Sequence, residues 1–185
     1  GLSFAQSAAD VNALRAQLGA LCADHLGVVL KIETRRAFER LPEMLFAAMA
    51  CPAAGVMIAR GDLAVECGFE RLAEVQEEIL WACEAAHMPV VWATQVLENL
   101  AKTGRPSRAE ITDAAMGVRA DCVMLNKGPH VLDAIRMLDD ILRRMQAHQS
   151  KKRPLMRALR SFRTPGAAAP RVLAPTARSV RRGSA

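Results

Sequence analysis

Five short aliphatic and β-branched runs recur along this chain, and each is followed by a segment with helical spacing. The runs are Leu2-Ser3-Phe4-Ala5, Val28 to Glu33, Gly55 to Leu63, Val90 to Gln95 and Asp121 to Asn126. After the first, Val11, Leu14, Leu18 and Leu21 repeat at helical spacing within Asp10 to Asp24. Phe38, Leu41, Leu45, Phe46 and Met49 mark a second helix, with Pro42 near its start where proline is tolerated. Phe69 to His87 sets Phe69, Leu72, Gln76, Ile79, Leu80, Cys83 and Ala86 along one side, with Glu70, Glu74, Glu77, Glu78 and Glu84 largely opposite. Ser107-Arg108-Ala109-Glu110 reads as a capping box opening a helix to about Arg119. Val131, Ile135, Leu138, Leu142 and Met145 form a stripe through Val131 to His148. Strand and helix alternating five times call for an α/β fold, a parallel sheet joined by right-handed crossovers.

The second and third runs carry the chemistry. Gly27-Val28-Val29-Leu30-Lys31-Ile32-Glu33 and Gly55-Val56-Met57-Ile58-Ala59-Arg60-Gly61-Asp62 are of strand length and continuous enough to be buried on both faces. Their downstream ends hold Lys31 with Glu33, and Arg60 with Asp62, at the edge where loops of parallel folds converge. Lys31 and Glu33 stand two apart and point to one side of their strand. If Asp62 ends a neighbouring strand, Glu33 and Asp62 can converge on one cation. Two carboxylates with open positions for water and substrate oxygens suit Mg²⁺. Gly61 lets the chain turn tightly, and amides of a short helical turn after it would form an anion site. The same residues also fit a purely structural salt bridge of Lys31 with Glu33 or Asp62, and Thr94 ending the fourth run is by itself ordinary.

Charge divides sharply along the chain. Residues 1 to 142 carry 13 Lys and Arg against 19 Asp and Glu, whereas residues 143 to 185 carry 12 cations and no acid. That basic tail has a single aromatic, Phe162, and no nucleic-acid motif, so a solvated extension, largely disordered over 150–185, is expected rather than a nucleic-acid-binding face. The five cysteines, Cys22, Cys51, Cys67, Cys83 and Cys122, form no CxxC pair and fit neither a zinc site nor a complete disulfide framework. Most of them read as small core hydrophobes in a reducing, cytoplasmic setting. No apolar window approaches a membrane span, and no basic region with an apolar core marks a signal peptide. Gly1 without a preceding Met implies an upstream part removed or missing.

Lys31-Ile32-Glu33, Ala59-Arg60-Gly61-Asp62-Leu63 with Val65-Glu66, Pro89 to Gln95 with Leu97-Glu98, Arg105-Pro106-Ser107-Arg108-Ala109-Glu110, and Val123-Met124-Leu125 stand in one order. Together they resemble the successive motifs of pyruvate kinase, over about residues 2 to 145, and Leu2-Ser3-Phe4 resembles the strand before them. The resemblance implies a partial (β/α)₈ TIM barrel, strands four to eight with their helices, over residues 1–149. It implies phosphoryl transfer between phosphoenolpyruvate and ADP, giving pyruvate and ATP, with Mg²⁺ or Mn²⁺ as cofactor and a homo-oligomer at full length. Lys31 would neutralise charge beside the phosphoryl group in flight. Glu33 and Asp62 would hold the metal, and the backbone amides of Ala59, Gly61 and Asp62 with the Thr94 hydroxyl would bind the substrate carboxylate.

The departures bear on this as well. The family's first three barrel strands, with a K⁺ site and a phosphate-binding arginine, have no counterpart in these residues, nor has its inserted lid domain or its C-terminal regulatory domain. Where the family reads Ser-Gly-Glu-Thr after its last strand, Asn126-Lys127-Gly128-Pro129 stands instead, so that Lys127 brings a cation into the segment where a carboxylate is expected. Two other expectations follow: a regulatory relic that binds metal and a keto acid without transferring phosphoryl, or a Mg²⁺-dependent lyase or aldolase acting on pyruvate enolate.

Overall fold

A computed structural model describes residues 1–149 as an α/β unit built on a four-stranded parallel sheet. The basic tail expected at 150–185 lies outside the described residues. The chain runs α1 (Ala8–Ala20), β1 (Val28–Ile32), α2 (Arg35–Glu39), α3 (Leu41–Ala48), β2 (Ala54–Ala59), α4 (Arg60–Cys67) and α5 (Leu72–Ala85). It continues through β3 (Val90–Val96), α6 (Glu98–Thr103), α7 (Arg108–Met116), β4 (Cys122–Leu125) and α8 (Val131–Gln149). Strand order follows chain order, every neighbouring pair is parallel, and the crossovers between strands are helical, as the alternation requires.

The first of the five expected strands is reduced to a single bridge. Leu2 pairs with β1 by donating to the Val29 carbonyl at 2.8 Å and accepting from the Lys31 amide at 3.0 Å. Phe4 then enters the left-handed region at φ 54°, and its amide donates to the Glu33 carboxylate instead of a strand partner. The turn therefore ends the pairing after one rung.

Burial on both faces holds for β2, where the neighbours Gly55 and Val56 and the neighbours Ile58 and Ala59 are buried, but not for β1. Along β1, Val28, Leu30 and Ile32 are buried in one core with Phe38, Leu41 and Leu45, while Val29 and Lys31 are only partly covered. None of the β4 residues is buried. Pro42 sits in the first turn of α3 as expected, and the helix before it is split off as α2, whose amide at Ala37 is capped by the Thr34 hydroxyl.

Two helical stripes are corrected in detail. In α5 the buried set is Val75, Glu78, Ile79, Leu80, Ala82 and Cys83, so Glu78 is inside, and Phe69 is exposed ahead of the helix. Its charge sets Glu78 with the outer face, whereas Val75, Trp81 and Ala82 at three and four residues are apolar and bring it inward. In α8, Ala134 and Leu138 are buried and Ile135 is 49% exposed, which rotates the inner stripe one position toward the small alanine. The short helix α6 was not legible, and Leu97 before it takes a left-handed φ of 49°. Among the described residues no helix is long and apolar enough to cross a membrane.

Candidate active site at the strand ends

The register sets the site. Ile32 pairs with Ile58 and Ala59 pairs with Ala93, so Glu33, the Arg60-Gly61-Asp62 turn and Thr94 each stand just past the last paired rung at one edge of the sheet. This is the carboxyl edge of parallel strands, where helix N-termini and loops meet.

Lys31 and Glu33 are brought together. The Lys31 ammonium lies 2.6 Å from Glu33 Oε1 and 2.9 Å from Ser3 Oγ, while the Phe4 amide donates to Glu33 Oε2 at 2.7 Å. Glu33 is only 2% exposed, so it is a buried carboxylate with one cation and one amide satisfying one oxygen each. Half of its acceptor capacity remains, since a carboxylate offers about four lone-pair positions. Ser3 and Phe4 were not foreseen as members of the site; nothing in a single apolar tetrapeptide signals that its turn will face a carboxylate 29 residues on.

Gly61 and Thr94 are also brought together. The Gly61 amide donates to Thr94 Oγ1 at 3.2 Å. A Cβ built on Gly61 would stand 3.1 Å from that same oxygen, and Gly61 is not among the positive-φ glycines, so its lack of a side chain serves close approach to Thr94 rather than a tight turn. Thr94 sits where the β3–β4 ladder shifts register between Trp92 and Val96, after a cis Ala93–Thr94 peptide and before Gln95 at φ 56°. A register shift of this kind re-aims a side chain away from strand alternation.

Asp62 lies in the first turn of α4, exposed to solvent, and makes no hydrogen bond or ion pair among the described residues. No such contact joins it to Lys31 or Glu33. Ala59 is the last residue of β2 and is buried. Among the described residues no group of three or more His, Cys, Asp or Glu side chains forms a metal cluster. The two carboxylates nonetheless suit a hard divalent ion that keeps several waters: Asp62 is wholly uncommitted, and Glu33 has unused lone pairs.

Arg60 departs from the sequence reading. It does not stand with Asp62 but turns under β3, where it is 7% exposed. Its Nε donates to the Ala93 carbonyl at 2.7 Å, its Nη2 to the Thr94 carbonyl at 2.6 Å, and its Nη1 to Asp113 on α7. The guanidinium carbon also lies 4.6 Å from the centre of the Trp92 ring. Hydrogen bonds to charged groups contribute about 1.5–3 kcal/mol each, so this fork ties three elements firmly. Asp113 stands 53 residues from its partner, and no spacing rule could have joined them. An open cleft borders this network, lined by Arg60, Gly61, Phe69, Thr94, Gln95 and Asp113.

At the end of β4, Asn126 Nδ2 donates to Glu98 Oε1 at 2.9 Å, an oxygen that Lys102 also approaches at 2.6 Å. The Lys102 hydrogen bond, with Asn126 and Gln95 assisting against a smaller desolvation effect, holds the Glu98 carboxyl below its ordinary range. Lys127 is exposed and makes no ion pair among the described residues.

The sequence model of the pyruvate kinase barrel domain matches residues 1–129. The chain is similar to the pyruvate kinase of Dictyostelium discoideum, 37% identical over 154 residues, covering 80% of this chain and 29% of that protein. It is 36% identical over 172 residues to the human pyruvate kinase PKLR, covering 88% of this chain and 29% of that one. The Thermotoga maritima pyruvate kinase is 39% identical over 120 residues, 62% of this chain and 25% of the relative. The chain thus spans less than a third of the length of these curated relatives.

Proposed function

Because the chain belongs to the pyruvate kinase family, we propose that it forms one side of a phosphotransferase site acting on phosphoenolpyruvate and ADP. The full-length protein moves the phosphoryl group from the enol oxygen of phosphoenolpyruvate to the terminal phosphate oxygen of ADP. ATP forms, and the remaining enolate takes a proton at carbon to become pyruvate. In this reading residues 1–149 are strands four to eight of a (β/α)₈ barrel, with Leu2 marking strand four and β1 to β4 the rest. The 150–185 segment is a basic appendage. The setting is cytoplasmic and glycolytic, the assembly is a homo-oligomer, and a K⁺ site would lie in parts of the protein outside these residues.

The observation that carries the reading is the pairing at adjacent strand ends: a cation on a buried carboxylate at β1, and an amide with a hydroxyl at β2 and β3. Phosphoryl transfer asks a protein mainly for positioning and for positive charge near the equatorial oxygens. Lys31 supplies that charge from a partly exposed ammonium anchored by Glu33 and Ser3. The amides of Ala59 and Asp62 hold the substrate carboxylate, and the Gly61 amide, which gives its one hydrogen to Thr94 Oγ1, holds the hydroxyl in place beside them. Thr94 completes the cradle, because a hydroxyl that accepts from Gly61 keeps its own proton to give to an anion. Glu33 and Asp62 would hold Mg²⁺ or Mn²⁺, which when bound supplies Lewis-acid polarisation and a template for oxygen ligands.

Turnover of ADP with phosphoenolpyruvate by the full-length protein, measured with and without Asp62→Asn, tests this. Turnover that falls with the substitution and is restored in part by raised Mg²⁺ supports it; no turnover in the unsubstituted protein would sink it.

One observation favours a second reading, a relic that binds metal and keto acid without transfer. Asn126 is committed to Glu98, and an exposed Lys127 stands in the segment where the family carries a carboxylate. Calorimetric titration with Mg²⁺ and oxalate would then show binding, and ADP none.

A further inference from the structure

We propose that Arg60, held by Asp113, is a positioning residue that sets the Gly61–Thr94 anion cradle from behind. The inference rests on the carboxylate-binding role assigned above to Thr94, whose hydroxyl Gly61 holds in place.

Its basis is that one residue governs both sides of the cradle. The backbone of Arg60 opens α4 and presents Gly61 as the next residue. Its side chain reaches across to β3 and takes the carbonyls of Ala93 and Thr94 at 2.7 and 2.6 Å. Thr94 is therefore fixed at two points, its carbonyl by Arg60 and its hydroxyl oxygen by the Gly61 amide. Those two contacts hold the Thr94 backbone and its hydroxyl oxygen, and leave the hydroxyl proton free to be given to an anion.

Three features make the guanidinium a fixed spacer rather than a ligand for the substrate. Its planar fork matches two carbonyls and one carboxylate in directions that a lysine ammonium cannot reproduce. The Trp92 ring, 4.6 Å from its carbon, limits tilting. Asp113 occupies the remaining direction and balances a charge that is 7% exposed. Asp113 itself comes from α7, whose start is fixed by the Ser107–Glu110 capping box, so the cradle is referenced to a helix that touches neither Gly61 nor Thr94 by hydrogen bond.

The test uses the full-length protein with Arg60→Lys and, as a milder change, Asp113→Asn. Two quantities are read: oxalate affinity in the presence of Mg²⁺ by calorimetry, and hydrogen exchange of the Gly61 amide with the Ile32 amide as internal control. A misplaced cradle weakens oxalate at least about tenfold in Arg60→Lys and by a smaller factor in Asp113→Asn. Gly61 exchange should rise about tenfold while Ile32 stays unchanged. Unchanged oxalate affinity, or unchanged Gly61 exchange, in a folded variant overturns the inference. If Arg60→Lys fails to fold, Asp113→Asn decides by the same two readings. A parent protein that binds no oxalate overturns the carboxylate-binding role and this inference with it, whereas a parent that binds and variants that do not differ overturn only the positioning.

Discussion

The Lys31 ammonium lies 2.6 Å from Glu33 Oε1, on a carboxylate that the fold buries almost completely. This pair meets both the structural and the chemical reading of the two residues, and the two separate on substitution. Lys31→Met leaves Glu33 Oε1 without its cation, a change that costs about 1–3 kcal/mol when a buried acceptor is abandoned. In the full-length protein it also removes charge from the phosphoryl side, and turnover should fall at least about a hundredfold. Denaturant unfolding and ADP turnover measured on one preparation check both. Equal turnover with reduced stability would leave the pair purely structural.

Gly61→Ala separates binding from folding. The residue is at the start of α4 and outside the left-handed region, so alanine suits the backbone, and stability should stay within about 1 kcal/mol of the parent. The new methyl meets Thr94 Oγ1 at 3.1 Å and displaces the hydroxyl by a few tenths of an ångström. Oxalate affinity with Mg²⁺ should drop about tenfold, because two donors no longer share one anion geometry. Unaltered affinity in calorimetry would remove Thr94 from the cradle.

What could be read in the sequence and what could not divide along physical lines. The β1 and β2 ends, the Ser107–Glu110 box and the helices around Phe38 and Val131 were legible because local spacing and capping chemistry determine them. Contacts made by long side chains across elements were not. Nearness in sequence groups Arg60 with Asp62, whereas burial under β3 offers it two carbonyls and Asp113. Glu78 faces the core with its Oε2 unpartnered among the described residues, against a charge pattern that put it outside. The Leu2 strand ended early because a side chain, Glu33, outcompeted a strand for the Phe4 amide.

Cys83 predicts an alkaline limit. Burial, with the nearby Asp121 charge adding to it, pushes its thiol from an ordinary 9.0 up to about 12. The folded chain thus keeps a proton that the unfolded chain loses, so the contribution is full below pH 9.0 and lost as pH rises toward about 12. The expected slope in that window is about 1.4 kcal/mol of stability lost per pH unit from this group. Denaturant midpoints of the parent and Cys83→Ala between pH 8 and 11 check it. A parallel pH dependence of the two proteins would show that the thiol does not ionise differentially.

The sheet edges predict how the 185 residues behave alone. One outer edge, β1, is covered only by the Leu2 bridge, and the other, β4, has no strand partner on its outer side among the described residues and no buried residue. Open parallel edges expose rows of unpaired amides and carbonyls that recruit other chains. Closing a barrel removes them, so the same strands within a closed sheet would lack this liability. The isolated chain should therefore be inactive in phosphoryl transfer and should associate, with a thermal transition that is broad and shifts with concentration. Sedimentation and melting at two concentrations tenfold apart check this. A sharp, concentration-independent transition of a monomer would mean that Leu2 and the helices protect the edges well enough without further strands.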